Sequence, residues 1–332
     1  MNLFDPTYIR DNCDFSFGDH PGLSLFNGYM NPANINNREF IKKYESLKGN
    51  KPYMTLFIDS IRLYNRDGIK YSAIELINDV SRKYKDKVVR EYFAENDLLH
   101  LCSQLPDMKF VVFCFFDDTP IDEFIFDKIP ENVISIYAAN AISFGGKVRP
   151  VPYGLQRKLY PGDNRQDILK EFINYNITPK KLLYMNHNVG NNPNRLEINN
   201  NFIGKDWATV GNPNGVGNYI NYLNEIKNHK FMICPDGNAI GCECHRDWEV
   251  IYMRRVPVVI KSEYLQEIFK DFPVLMVDGF SEVTEDLLKE NDHLFQEAQR
   301  INLDRLDIKL FFDKIIDETN NIFIDKKTIA KQ

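Results

Sequence analysis

Arg246 and Glu249, two charged side chains three positions apart, give the chain its strongest chemical signal. Residues i and i+3 of a helix share a face. A helix is expected over 242–254, with Trp248, Ile251 and Tyr252 among its apolar positions. Ahead of it runs Pro235-Asp236-Gly237-Asn238-Ala239-Ile240-Gly241, a loop whose two glycines can take positive φ. A helix start offers free N–H groups and the positive end of a dipole, which suits a phosphate. Arg246 beside such an anion, with amides around Gly241, would bind a diphosphate. Glu249, one turn deeper, would accept from ribose hydroxyls. The competing reading is an ordinary solvated Arg–Glu pair, with Glu243 nearby.

A second polar loop has the same character. His187-Asn188-Val189-Gly190-Asn191-Asn192-Pro193-Asn194-Arg195 follows an expected strand over 181–186 and leads into a helix from about 193. An arginine in that first turn is a candidate second phosphate ligand, so Arg195 joins the set. The alternative is a surface arginine in an Asn-rich loop. In the first half of the chain, Asp59 ends an expected strand over 53–58, where open α/β sheets place their chemistry. Asp19 and His20 set a carboxylate beside an imidazole at the end of an alternating segment, 13–20.

The elements that must position these residues alternate in type. Residues 231–234 form a short apolar run, and 256–260 form a β-branched one of the kind buried on both faces. Alternating strands and helices predict a parallel sheet with helices on its faces. In the first half, 109–116 is the clearest buried strand, 132–137 another, and 148–153 a shorter extended piece. Residues 72–101 read as helical. Turn-rich sequence over 154–178 reads as an interdomain connection containing a short amphipathic helix.

Arg246-Asp247-Trp248-Glu249, Val256-Pro257-Val258-Val259, Phe272-Pro273-Val274-Leu275-Met276-Val277 and Ser281-Glu282-Val283 together resemble the C-terminal signature of exostosin-like glycosyltransferases. The likeness is clear over 230–287 and weaker back to 181. Arg254 departs from the pattern, since the family usually has glycine or a small residue there. The helix is therefore expected to lack its usual left-handed end residue. The resemblance implies a GT-B fold: α/β, with two Rossmann-like domains facing across a cleft. It implies sugar transfer from a nucleotide-sugar donor (a UDP-sugar is favoured) to a glycan acceptor, with inversion and no bound metal ion, in glycan or polysaccharide synthesis. The donor is then a substrate, and no cofactor is expected. Inversion needs a general base for the acceptor hydroxyl. Asp19, His20 and Asp59 are the candidates. A non-catalytic two-domain nucleotide- or carbohydrate-binding protein is the competing class.

Composition fits this reading. The 332 residues suggest two domains: an acceptor-side domain over 1–155 and a nucleotide-sugar domain over 156–310. A C-terminal helix over 311–332 is expected to pack back on the first domain. The net charge of −6 argues against a nucleic-acid binder. Six cysteines show no secreted disulfide framework. No signal peptide or membrane span is expected, so the location implied is cytoplasmic, as for a bacterial or viral form. The C-x-C pair Cys242 and Cys244 is too tight at a helix start for a zinc site. G-x-G-x-x-G is absent, which disfavours a dinucleotide oxidoreductase.

Overall fold

The computed structural model describes residues 1–17, 37–59, 98–115, 120–156, 163–192, 194–212, 217–237 and 239–329. Asp19, His20 and most of the helical stretch expected over 72–101 lie outside them. The architecture is α/β, with two five-stranded parallel sheets, and is compatible with two Rossmann-like domains. The chain divides into two compact units, Met1–Val151 with Asp304–Gln332, and Pro152–Leu303.

The sheet of the first unit runs in sequence order: β1 (Phe15–Phe17), β2 (Tyr53–Asp59), β3 (Lys109–Phe115), β4 (Val133–Ala138) and β5 (Val148–Pro150). β3 has six consecutive buried residues after Lys109, as a strand covered on both faces must. Three described α-helices precede β4, α1 (Thr7–Asn12), α2 (Asn37–Leu47) and α3 (Leu98–Ser103), and a 3-10 helix, Glu123–Lys128, follows β3. The final helix, Ile308–Ile329, clusters with this unit. Its Phe311 meets Phe4, its Phe312 meets Tyr8 and Phe113, and its Phe323 stacks on Tyr53 at 5.5 Å. The Tyr53 hydroxyl donates to Asn320 Oδ1, so the polar end of that buried ring is satisfied.

In the second unit α4 (Arg165–Ile173) is followed by β6 (Lys181–Met185), α5 (Asn194–Phe202), β7 (Ala208–Val210), α6 (Tyr219–Asn228) and β8 (His229–Ile233). Then come α7 (His245–Tyr252), β9 (Val256–Ile260), α8 (Glu263–Ile268), β10 (Leu275–Val277), α9 (Glu285–Glu290) and α10 (Asp292–Arg300). The strand order is β10-β9-β8-β6-β7. From β6 the chain first adds β7 on one side, then crosses to β8 on the other. Leu183, Met185, Phe231, Ile233, Val256 and Val258 of the three central strands form the core on one face. Burying such a side chain contributes about 1.5–3 kcal/mol. Trp248, fully buried against Phe269 and Phe272, anchors α7.

Two expectations are corrected. α7 starts at His245, not 242, because the Cys244 N–H donates to Asp247 Oδ2 at 2.5 Å and fixes Cys244 as the cap. The helix end also has its left-handed residue, which is Arg254 itself, at φ +57°. Arg254 N–H donates to Ile251 O and Arg255 N–H to Val250 O, the paired bonds of a Schellman end. An arginine occupies this strained region because its guanidinium donates to Gln299 O and Ile301 O, at the end of α10. In return, Gln299 Nε2 donates to Arg254 O at 2.6 Å. The neighbouring Arg255 is no surface charge. It is buried and donates to the carbonyls of Ile177, Lys227, Met253 and Arg254.

Arg254→Ala keeps the left-handed strain and removes both carbonyl contacts, so it should destabilise the fold by roughly 1–3 kcal/mol. Arg254→Gly loses the same contacts but relieves the strain, and should recover about 1 kcal/mol of that. Urea unfolding of the two variants decides the point; an alanine variant as stable as the glycine variant would contradict the strain argument.

Candidate functional site

In open parallel sheets, ligands bind beyond the carboxyl ends of the strands, where the strand order reverses. In the second unit that place lies between β6 and β8. Residues 186–192 leave β6 there, and 234–244 leave β8. Helices α6 and α7 also begin at this edge, since each returns from the carboxyl end of one strand to the amino end of the next. Gly211, just past β7, lets Asn186 pack closely: a Cβ there would lie 2.9 Å from the Asn186 side chain.

Glu249 sits half-buried on α7 with each carboxylate oxygen held by a tyrosine. Tyr219 donates to Oε1 and Tyr222 to Oε2, both at 2.8 Å. These tyrosines are three apart on α6, so one face of that helix presents both hydroxyls. Asn218 caps α6 by accepting from Asn221 N–H, which sets the phase of that face. Burial pushes the Glu249 carboxyl up, and the Tyr219 and Tyr222 hydroxyls then Arg246 pull it back. The two hydroxyls fix the Glu249 side chain in direction, with lone pairs remaining for a ligand hydroxyl.

Arg246 lies one turn earlier on the same helix. Its Nε donates to Asn186 O at 3.0 Å and its Nη1 to Cys244 Sγ at 3.4 Å. No ion pair joins it to Glu249 among the described residues, and its Nη2 has no hydrogen-bond partner there. The guanidinium is therefore aimed by neutral groups and keeps its full charge at the partly exposed edge.

Arg195 has a different place from the one the sequence suggests. It is 3 % exposed, and its guanidinium donates to Asn188 O, Pro235 O and Asp236 O. It ties the loop after β6 to the loop after β8. Gly241 takes φ +78°, and its N–H donates to Asp236 Oδ2 at 3.1 Å. That amide shapes the loop from within. Asp59 ends β2 in the first unit, with its backbone in register with Phe115 of β3. Asp19 and His20 are outside the described residues.

Sequence reasoning missed several polar groups at this edge. Asn186 Oδ1 and His187 Nδ1 are buried acceptors without a hydrogen-bond partner among the described residues. His187 Nε2 lies 3.3 Å from Arg195 O, so that nitrogen carries the proton and Nδ1 the lone pair. Burial, with Arg246 nearby, lowers His187 to about 4 and keeps the ring neutral. Tyr219 and Tyr222 were also missed; their spacing matches that of Arg246 and Glu249, but aromatic pairs at helical spacing usually mean core. Among the described residues, no group of three His, Cys, Asp or Glu side chains is placed to hold a metal ion, and their cysteines are free thiols.

Two further acids are buried here, one in the loop and one in the first turn of α7. Asp247 is raised by burial to about 6, against the pull of the Cys244 N–H. Glu243 is raised by burial to about 7, although the Tyr264 hydroxyl and the Tyr153 N–H, at 2.6 Å, draw it down. A buried acid with a raised folded-state pKa binds its proton more tightly folded than unfolded. Its stabilisation is complete below the ordinary value of 4.5 and is lost as pH rises through 7. Glu243→Gln should therefore flatten the fall in melting temperature between pH 5 and 7, a linkage of up to about 3 kcal/mol. Parallel wild-type and variant melting curves across that range would refute the assignment. No protein-family model matches the chain, and a search of curated proteins finds none similar to it, so the site rests on its own geometry.

Proposed function

We propose that the chain is a glycosyltransferase of the exostosin-like, GT-B kind, which moves a sugar from a nucleotide-sugar donor, a UDP-sugar first, to a glycan acceptor. The observation that carries this reading is the pairing of Arg246 with a tyrosine-held Glu249 where the strand order reverses. Glu249 accepts from the ribose hydroxyls, and its two tyrosines hold it in place before the ligand arrives. Arg246 receives the charge that builds on the leaving diphosphate as the glycosidic bond breaks. Arg195 supports the site from below by fixing both loops. Asn186 Oδ1 and His187 Nδ1, two buried acceptors, favour a ligand that brings its own N–H or O–H donors. The base that takes the acceptor proton is assigned among Asp19, His20 and Asp59, and transfer proceeds with inversion and without a bound metal. No described helix is long and apolar enough to cross a membrane.

Calorimetric titration with UDP, in the presence of EDTA, tests the donor site. Glu249→Gln should weaken UDP about 10- to 100-fold, the loss expected for charge-assisted hydrogen bonds. Tyr222→Phe should weaken it less, by freeing the carboxylate to turn. An unchanged affinity in a folded Glu249→Gln protein would remove the donor site proposed here. Release of UDP from a UDP-sugar panel, stimulated by a glycan acceptor, separates the transferase from a protein that only binds.

A further inference from the structure

A further guanidinium reaches the same edge of the second unit. Arg165 is the first residue of α4, and the chain after that helix is pinned to the amino edge of the sheet. Lys227, at the end of α6, donates to Tyr175 O at 2.7 Å, and Arg255, just before β9, donates to Ile177 O at 2.7 Å. The far end of α4 is therefore low. Its first turn rises, packed along α6, toward the edge where Tyr219 opens α6 and Arg246 opens α7. Arg165 and Glu249 act on one another electrostatically, as do Arg165 and Tyr219, which fits this placement.

The side chain is held rigidly. Asp163, itself buried, accepts from Arg165 Nε at 3.0 Å and from Nη2 at 2.6 Å. Gln156 Oε1 accepts from Nη1 at 2.7 Å. A guanidinium has five N–H groups in a planar fork. These three bonds leave one N–H on each terminal nitrogen without a partner among the described residues, and the side chain is 33 % exposed. The pair stands at the start of α4, the helix packed along α6, which Tyr219 opens. A fork braced by Asp163 and Gln156, with two donors that meet no acceptor among the described residues, matches what an oxyanion requires.

We propose that Arg165 is a further binding residue of the nucleotide site, donating its two remaining N–H groups to phosphate oxygens of the bound nucleoside diphosphate. The proposal rests on the nucleotide reading given above. It gives the site a second phosphate-directed cation, because the donors of Arg195 named above go to backbone carbonyls.

The test is calorimetric titration of uridine, UMP, UDP and inorganic pyrophosphate into wild type, Arg165→Ala and Arg165→Lys, with a melting temperature for each protein. Arg165→Ala should weaken UDP by about tenfold or more and leave uridine within about twofold. Arg165→Lys should fall between, since it keeps the charge and loses the fork. Equal loss of uridine and UDP would overturn the proposal in favour of a purely structural ion pair, as would unchanged UDP affinity. If the alanine variant fails to fold, the lysine variant carries the same comparison of UDP against uridine. UDP that binds wild type and is weakened by Glu249→Gln, but not by Arg165→Ala, sinks this proposal alone. A wild-type protein that binds neither UDP nor pyrophosphate sinks the nucleotide reading, and this proposal with it.

Discussion

The candidate site depends on Arg195 more than on any residue that would touch a ligand. Loops at the carboxyl edge of a parallel sheet leave backbone carbonyls pointing inward, and a buried carbonyl without a donor costs free energy. One guanidinium answers three of them, on Asn188, Pro235 and Asp236. By closing both loops on the same group, it holds the backbone next to Asn186 and Cys244, whose carbonyl oxygen and sulfur take the donors of Arg246. A lysine would be a poor replacement, because it lacks the planar fork whose separate nitrogens reach carbonyls on both loops.

The same solution recurs across the second unit. Arg246 meets Asn186 O, Arg254 the end of α10, Arg255 four carbonyls, and Lys227 the carbonyl of Tyr175. Each cation is desolvated mainly against neutral backbone. Burial, with other cations nearby, lowers Lys227 to about 8, and burial alone lowers Arg255 to about 10. Arg254, Arg255 and Lys227 bind segments together at the amino edge. Arg195 and Arg246 do the corresponding work at the carboxyl edge. Among the arginines named here, Arg165 differs in being braced by a carboxylate and left partly exposed.

Much of the fold was legible in the sequence. The apolar run around Phe113 and the β-branched run over 256–260 stand out because burial on both faces leaves a simple pattern. The boundary of α7 was less legible, since it depends on one bond from the Cys244 N–H to Asp247. The i, i+3 spacing of Arg246 and Glu249 put both on one helix. What they touch could not be read, because that follows from the strand order, which sets α6 against α7. Tyr219 and Tyr222 look like core aromatics until that neighbour is known. For Arg195, sequence shows a charge near a loop, not the number of carbonyls left to satisfy.

Arg254 links parts of the chain far apart in sequence. Its left-handed backbone ends α7, and that conformation is held by the carbonyls of Gln299 and Ile301 and by the Gln299 amide. A glycine would end the helix by itself, whatever else had formed. With arginine, the last turn of α7 draws part of its stability from contact with the end of α10. The helix that carries Arg246 and Glu249 is thus tied at its far end to a segment some 45 residues further along the chain.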